Sequence, residues 1–315
     1  MEDCIKKVIA DSKNKIDALK KDVDSVYFDG RYNNIIIYVC GSLARQEMVD
    51  TSDLDLFFIA LNDQMVSSNI DKYNFFSLMY DINKKNGFKE PSKNGYYWRF
   101  TPKENLLDIG SQEEDYNNSF TARMLLILES KPLWNNDEYD NLLSIVVGKY
   151  FEEFDSHSDN FYPLFLMNDI LRYWYTLTIN YEYRRDPSDD KNKRYWKRLK
   201  LKYARLLTCF SFVACLCSGP TNQHDVIEFV HYTPFERLDY LANRFSDLKD
   251  VISHIKNEYT YYIELHYKDR DWLEYDENKK QAFERADLFH SLLIHDFLRN
   301  IVEKNPTIKN KIDMF

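Results

Sequence analysis

The sequence predicts an α+β protein with a small head built around a mixed sheet, followed by a larger all-helical body. Apolar runs typical of buried strands occur only before about residue 110, where they alternate with helical patterns. From about residue 119 to the C-terminal end, the apolar residues recur at helical spacing instead. We therefore expect an α/β head at residues 1–118 and a helical domain at residues 119–315.

The elements of the head follow from periodicity and from residues that begin or end helices. An amphipathic helix is expected first, because apolar residues recur at helical spacing between charged ones. Gly87 is a typical residue just beyond a helix C-terminus. In chain order we expect a helix at 3–24, a strand at 35–40, a short helix after Ser42, a strand at 54–60, a helix at 69–85, and a strand or hairpin at 88–100.

The body shows no repeats and no low-complexity linker, and its clearest break is the polar loop at 184–194. The expected helices lie at 120–128, 137–153, 162–184, 191–217, 224–230, 234–268 in several pieces, and 277–303.

Composition and charge exclude several classes of protein. The chain has 315 residues, of which 44% are hydrophobic and 30% charged, as expected of a globular protein with a sizeable core. Its net charge of −9 disfavours long nucleic acid as a partner. No apolar run reaches the roughly eighteen residues of a membrane span, and we expect no membrane association. Five cysteines without disulfide or zinc spacing predict a cytoplasmic location.

The stretch IIIYVCGSLARQEMVDTSDLDLFFIA, residues 35–60, contains the chemistry-bearing residues. Side chains two residues apart on a strand share a face, so Asp53 and Asp55 point the same way. Two carboxylates this close repel each other unless a cation lies between them or one is protonated. Oxygen-only ligands at this spacing suit Mg²⁺, with Mn²⁺ as an alternative, and a pair of such ions activates an attacking hydroxyl and stabilises a leaving pyrophosphate.

Gly41 and Ser42 provide the complementary half of this pattern. Gly41 permits a tight turn after the strand and close approach of a ligand to the backbone. Ser42 offers a hydroxyl where a helix begins, and backbone N–H groups at such a point favour a bound phosphate. A Gly-Ser and an Asp-x-Asp also occur together in ordinary turn–strand junctions, which is the structural alternative.

With Arg45 and Glu47 between them, these residues resemble a known family. Gly-Ser-Leu-Ala-Arg-Gln-Glu (41–47) followed by Ser-Asp-Leu-Asp (52–55) is similar to the DNA polymerase β-type nucleotidyltransferase superfamily. The bacterial branch with signal-protein uridylyltransferases and glutamine-synthetase adenylyltransferases shows G-x-x-x-R-x-E before S-D-x-D. The resemblance covers residues 35–60, and the order of elements extends it to about residue 130.

The resemblance implies a metal-dependent transferase and further site residues. Asp53 and Asp55 would hold two Mg²⁺ ions, and Gly41, Ser42 and Arg45 would bind the nucleotide. The family adds a third carboxylate on a later strand; we expect it at Glu90, with Asp108 as the alternative. Pro91 directly follows Glu90, and no clean strand pattern surrounds it.

A basic stripe in the helical domain is a further candidate. Arg198, Lys202 and Arg205 fall on one flank of a helix, away from its apolar face. Three cations on one stripe of a −9 protein predict a clamp for a triphosphate. The alternative is a solvated flank paired with acidic side chains.

From these patterns we expect a bacterial, Mg²⁺-dependent nucleotidyltransferase. It would move a nucleoside monophosphate from an NTP such as ATP to an acceptor hydroxyl on a protein, small molecule or nucleotide. A nucleotide-binding sensor without turnover and an antitoxin-like partner protein on the same fold are the alternatives. The sequence does not distinguish among the acceptors.

Overall fold

The computed structural model describes most of the chain. The described residues are 2–27, 30, 32–49, 52–62, 68–91, 95, 98–109, 118–152, 161–183, 191–219, 221–268 and 270–312. They form two compact units: an α/β unit at Lys6–Glu152, and a helical unit at Glu153–Phe315 together with Met1–Ile5. The predicted α+β class, with a small mixed sheet and a large helical part, is confirmed.

The α/β unit contains a four-stranded mixed sheet. Its elements in chain order are α1 (Glu2–Tyr27), β1 (Ile35–Cys40), α2 (Gly41–Ala44), β2 (Asp55–Ala60), α3 (Asn69–Lys85), β3 (Phe100–Pro102), α4 (Ser119–Leu128), β4 (Ser130–Trp134) and α5 (Asn136–Gly148). The strand order is β3-β2-β1-β4, in which β1 is antiparallel to β2 and β4, while β3 is parallel to β2.

The division of the chain lies later than the sequence pattern predicts. Residues 119–152 belong to the α/β unit because β4 pairs with β1 at the edge of the sheet. The periodicity around Pro132 does not indicate a strand, since proline lacks the N–H that a ladder needs. An edge strand tolerates Pro132, and the register shifts between Ile37 and Tyr38 on the facing strand.

The two faces of the sheet are packed differently. One face buries Ile37, Leu56 and Phe58 against α1 and α3 in a single apolar cluster. On the other face, Tyr38 stacks on Phe57 with ring centroids 5.4 Å apart and lies 6.0 Å from Tyr139 of α5. Because both faces are covered, β1 is completely buried, as its uninterrupted apolar run predicts.

The ends of α3 agree with the residues that flank it, whereas the strand expected after it is much shorter in the structure. Ser68 caps α3 by accepting a hydrogen bond from Asp71 N, and Gly87 follows its C-terminus with φ +71°. The strand or hairpin expected at 88–100 is reduced, among the described residues, to β3. Residues 92–94 and 96–97 lie outside the described part.

The helical unit agrees closely with the predicted helices. Its helices are α6 (Leu164–Tyr183), α7 (Lys191–Lys200), α8 (Leu206–Cys217), α9 (Gln223–His231), α10 (Pro234–Arg244), α11 (Lys249–Leu265), α12 (Asp276–Ser291), α13 (Arg299–Glu303) and α14 (Pro306–Ile312). Two π-helical segments, at Leu201–Arg205 and Leu292–Leu298, join α7 to α8 and α12 to α13.

The core of the helical unit is centred on α8. Every residue of this helix except Phe210 is buried, and it contacts α6, α9, α10 and α13. In the part of the chain that the structure describes, no helix is both long and apolar enough to cross a bilayer.

Candidate functional site

The two aspartates lie at the beginning of β2, on the side of the strand opposite the apolar cluster. Asp53 and Asp55 are exposed, whereas Leu54 and Leu56 between and beside them are buried. This alternation is what a strand of period two requires when one of its faces packs on a core. The predicted common direction of the two carboxylates therefore agrees with the burial pattern.

Gly41 and Asp55 are neighbours across the sheet. The antiparallel register pairs Cys40 with Asp55, which brings the end of β1 to the start of β2. Gly41 has φ +71°, and a Cβ added to it would lie 2.7 Å from Asp55 Oδ2. A side chain at position 41 would therefore be strained and would collide with the carboxylate. The structure thus brings together the Gly-Ser and Asp-x-Asp halves of the motif.

The backbone after Gly41 forms one short helical turn. Arg45 N donates to Gly41 O at 3.0 Å, and Glu47 N donates to Ser42 O at 2.8 Å. Gln46 has φ +60°, an uncommon conformation for a residue with a side chain, and it reverses the chain before Glu47. Ser42 itself is half-buried.

Arg45 is buried between two carboxylates. Its Nε donates to Glu47 Oε1 at 2.5 Å and its Nη1 to Glu129 Oε2, with the Arg45 side chain only 2% exposed. Glu129 lies directly before β4, whose Ser130 pairs with Cys40 of β1, so these contacts tie the Gly-Ser turn to the start of the neighbouring strand. The structure therefore gives Arg45 a positioning role. Its guanidinium is buried, and the contact with a nucleotide stays a prediction.

Sequence reasoning missed Glu129 as a partner of Arg45. The two residues are 84 positions apart, and the only local signal is an acid placed between the apolar helix α4 and β4. A buried carboxylate needs a partner, but which arginine satisfies it depends on tertiary structure.

Ser52 stabilises the turn before the aspartates. Its Oγ accepts a hydrogen bond from Val49 N at 3.2 Å, and Ser52 N donates to Val49 O at 2.9 Å. On the other side, Met48 N donates to Ser12 Oγ of α1 at 3.0 Å. These bonds stabilise the segment directly before Asp53.

Glu90, the predicted third carboxylate, is bonded to α3 instead. Tyr80 Oη donates to Glu90 Oε1 at 2.6 Å, and this hydrogen bond raises the pKa of the tyrosine. Within the described residues, no group of three or more His, Cys, Asp or Glu side chains is arranged to hold a metal ion. Neither Glu90 nor the alternative, the exposed Asp108, therefore completes a three-carboxylate group with Asp53 and Asp55 there.

Lys89, not Glu90, is the residue of this segment that contacts the aspartates. Lys89 Nζ lies 3.7 Å from Asp53 Oδ1, with the two side chains 47% and 55% exposed. Asn83 Nδ2 donates to Lys89 O at 2.9 Å and positions the segment on α3. An ion pair this exposed is weak, so it does not prevent a ligand from reaching Asp53.

Arg99 lies on the same face of the sheet as the aspartates. The parallel register pairs Phe58 with Phe100, and both rings belong to the buried cluster, against which Trp98 also packs. Arg99, between Trp98 and Phe100, therefore projects to the opposite face, which is the face of Asp55. No sequence signal indicates this position, because it depends on which strands pair and in which register.

The predicted basic stripe packs against α12 within the helical unit. The guanidinium carbon of Arg198 lies 4.9 Å from the ring centroid of Phe283, and Lys202 Nζ is ion-paired with Asp287. A π-helical turn at Leu201–Arg205 also changes the angular spacing of Lys202 and Arg205. The stripe belongs to a different compact unit from Asp53 and Asp55. Two of the three cations of the stripe, Arg198 and Lys202, therefore have partners on α12. Binding of a triphosphate by the stripe stays a prediction.

The oxygen ligands at this end of β1 and β2 allow limited but specific chemistry. Two exposed carboxylates suit one divalent cation whose other ligands are phosphate oxygens and water. The turn at Gly41 leaves no side chain between the backbone and Asp55. This end of the sheet therefore presents two exposed carboxylates beside a backbone turn that carries no side chain.

No protein-family model matches the chain, and no curated protein matches it significantly.

Proposed function

We propose that the α/β unit binds a nucleoside triphosphate and transfers its nucleoside monophosphate to an acceptor hydroxyl, releasing pyrophosphate. The observation that supports this most directly is the contact between Gly41 and Asp55, since it places the Gly-Ser turn beside the two aspartates. The mixed sheet, with the turn after β1 and the acids at the head of β2, supports it further.

The residues at the site fit Mg²⁺. Asp53 and Asp55 would hold it, because they are exposed oxygen ligands on one face. When bound, the ion supplies Lewis-acid stabilisation of phosphate charge. Gly41 admits the phosphate chain close to the backbone, and the Ser42 hydroxyl donates a hydrogen bond to it.

The transfer itself is an in-line displacement. The acceptor oxygen bonds to the α-phosphorus, the bond to the bridging α–β oxygen breaks, and pyrophosphate leaves with the electron pair. The hydroxyl proton passes to solvent. Asp53 and Asp55 would hold the cation that offsets the phosphate charge, and the acceptor is a protein side chain, a small molecule or a second nucleotide.

The test is an assay of the pure protein with α-labelled NTPs and Mg²⁺, alone and with cell extract. We expect pyrophosphate release, label transfer and a nucleotide-dependent rise in melting temperature. The variant Asp53→Asn with Asp55→Asn should abolish all three and still fold, because both side chains are exposed. Absence of product, self-labelling and thermal shift in the natural protein would contradict the proposal.

A second candidate is a nucleotide sensor that binds without turnover. Two observations favour it: no three-carboxylate group occurs among the described residues, and Arg99 shares the face of the aspartates. NTP binding that Asp53→Asn weakens, without transfer to any acceptor, would select the sensor over the transferase.

A further inference from the structure

The end of the sheet that holds the two aspartates also holds two cations. Lys89 contacts Asp53 at 3.7 Å, and Arg99 shares a face with Asp55 on the neighbouring strand. The four side chains together have no formal net charge. A group of three carboxylates would instead have a charge of −3 and would attract two divalent ions.

The register brings Arg99 within reach of Asp55. Extending the pairing of Phe58 with Phe100 places Arg99 opposite Phe57, two residues along from Asp55. Strands about 4.8 Å apart with a rise of about 3.3 Å per residue give a Cα separation of about 8 Å. An arginine and an aspartate side chain together span that distance. Arg99 is exposed, so its guanidinium is accessible to a ligand bound on the aspartates.

We infer that this site takes one divalent cation per nucleotide, and that Arg99 occupies the place of the second cation and binds the polyphosphate directly. The inference rests on the proposed function, since it concerns how the same nucleotide is held. It also replaces the expectation of two Mg²⁺ ions, because a fixed positive charge repels a second divalent ion nearby.

Arginine is suited to this role on chemical grounds. Its guanidinium stays charged at any ordinary pH and presents several N–H donors in one plane, which match phosphate oxygens. Lys89 has the complementary role of compensating Asp53 before the metal-bound nucleotide arrives. Because that ion pair is exposed, releasing Lys89 costs little.

The experiment counts metal ions and needs no turnover. The full-length protein is dialysed against Mn²⁺ and a non-hydrolysable NTP analogue, and bound Mn²⁺ and bound nucleotide are both measured. We expect one Mn²⁺ per nucleotide. Arg99→Gln should weaken nucleotide affinity about tenfold and keep that ratio, because one charge-assisted contact is lost. Arg99→Glu should raise the ratio to two, since it supplies a third carboxylate.

The control is Lys84→Gln, which removes an exposed cation from the last turn of α3 in the same unit. It should change nucleotide affinity by less than twofold. Three results would each overturn the inference and leave the proposed function standing. They are two Mn²⁺ per nucleotide in the natural protein, a nucleotide affinity of Arg99→Gln equal to that of Lys84→Gln, and an unchanged Mn²⁺-to-nucleotide ratio in Arg99→Glu. If the natural protein bound no nucleotide, both would fail.

Discussion

Asp55 Oδ2 lies so close to Gly41 that a Cβ at position 41 would be 2.7 Å away from it. The contact joins two motif halves separated by a dozen residues, and it depends on the antiparallel pairing of Cys40 with Asp55. It requires glycine for two separate reasons: the positive φ of the backbone and the space that the carboxylate occupies.

Replacing Gly41 by alanine separates these two reasons. We expect Gly41→Ala to destabilise the protein by about 1–2 kcal/mol through its φ of +71° and, in addition, to displace Asp55 and weaken Mg²⁺–NTP binding at least tenfold. Urea unfolding and calorimetric titration measure the two effects.

Gly87 provides the matched control. It also has φ +71°, but a Cβ there would meet nothing within 4 Å. Gly87→Ala should therefore show the stability loss alone, with normal nucleotide binding. Equal binding by both variants would show that the approach of Asp55 to Gly41 has no functional role.

The buried ion pairs of Arg45 should contribute to stability. Arg45→Met leaves Glu47 and Glu129 buried without their shared cation, so we expect a loss of about 3–5 kcal/mol in the free energy of unfolding. The control Lys149→Met breaks an exposed pair with Glu152 in the same unit and should cost less than about 1 kcal/mol. A similar small loss for Arg45→Met in urea titrations would refute the positioning role.

His266 should make the stability of the protein depend on pH. Its ring packs between Trp196 and Tyr262, and burial, with a smaller effect of Lys200, lowers the pKa of His266 to about 4. The unfolded chain, with an ordinary histidine pKa near 6.5, therefore binds more protons than the folded chain between about pH 4 and 6.5. Stability is complete above this window and falls as the pH decreases through it.

We expect a loss of roughly 2 kcal/mol between pH 7.5 and pH 4.5 that is due to this ring. His266→Phe should flatten that part of the pH profile of urea unfolding, because phenylalanine fills the aromatic site without titrating. A profile of the variant that runs parallel to the natural one would exclude His266 as the cause.

The basic stripe can be tested independently of the sheet site. Lys202 is ion-paired with Asp287, so we expect Lys202→Met to cost less than about 1 kcal/mol in stability and to change NTP affinity by less than twofold. The comparison is with Asp53→Asn, which should reduce Mg²⁺–NTP affinity strongly. A tenfold loss in Lys202→Met would instead support the triphosphate clamp that the sequence predicts.

Most of the fold could be predicted because helices and strands leave periodic signals in the sequence. The helices expected after residue 119 correspond to α4–α13, and the apolar run at β1 corresponds to a strand buried on both faces. β4 could not be predicted, because it contains Pro132 and its apolar and polar residues do not alternate. It is recognised as an edge strand through its pairing with β1.

The candidate site divides in the same way. The sequence by itself determined that Asp53 and Asp55 share a face and that Gly41 ends a strand, since both depend on residues adjacent in the chain. Only the tertiary structure decided that Glu129 pairs with Arg45 and that Lys89 rather than Glu90 contacts Asp53. It also decided the strand register that puts Arg99 on the same face of the sheet as Asp55. Those relationships depend on strand pairing and on how distant segments pack, and local periodicity holds no information about either.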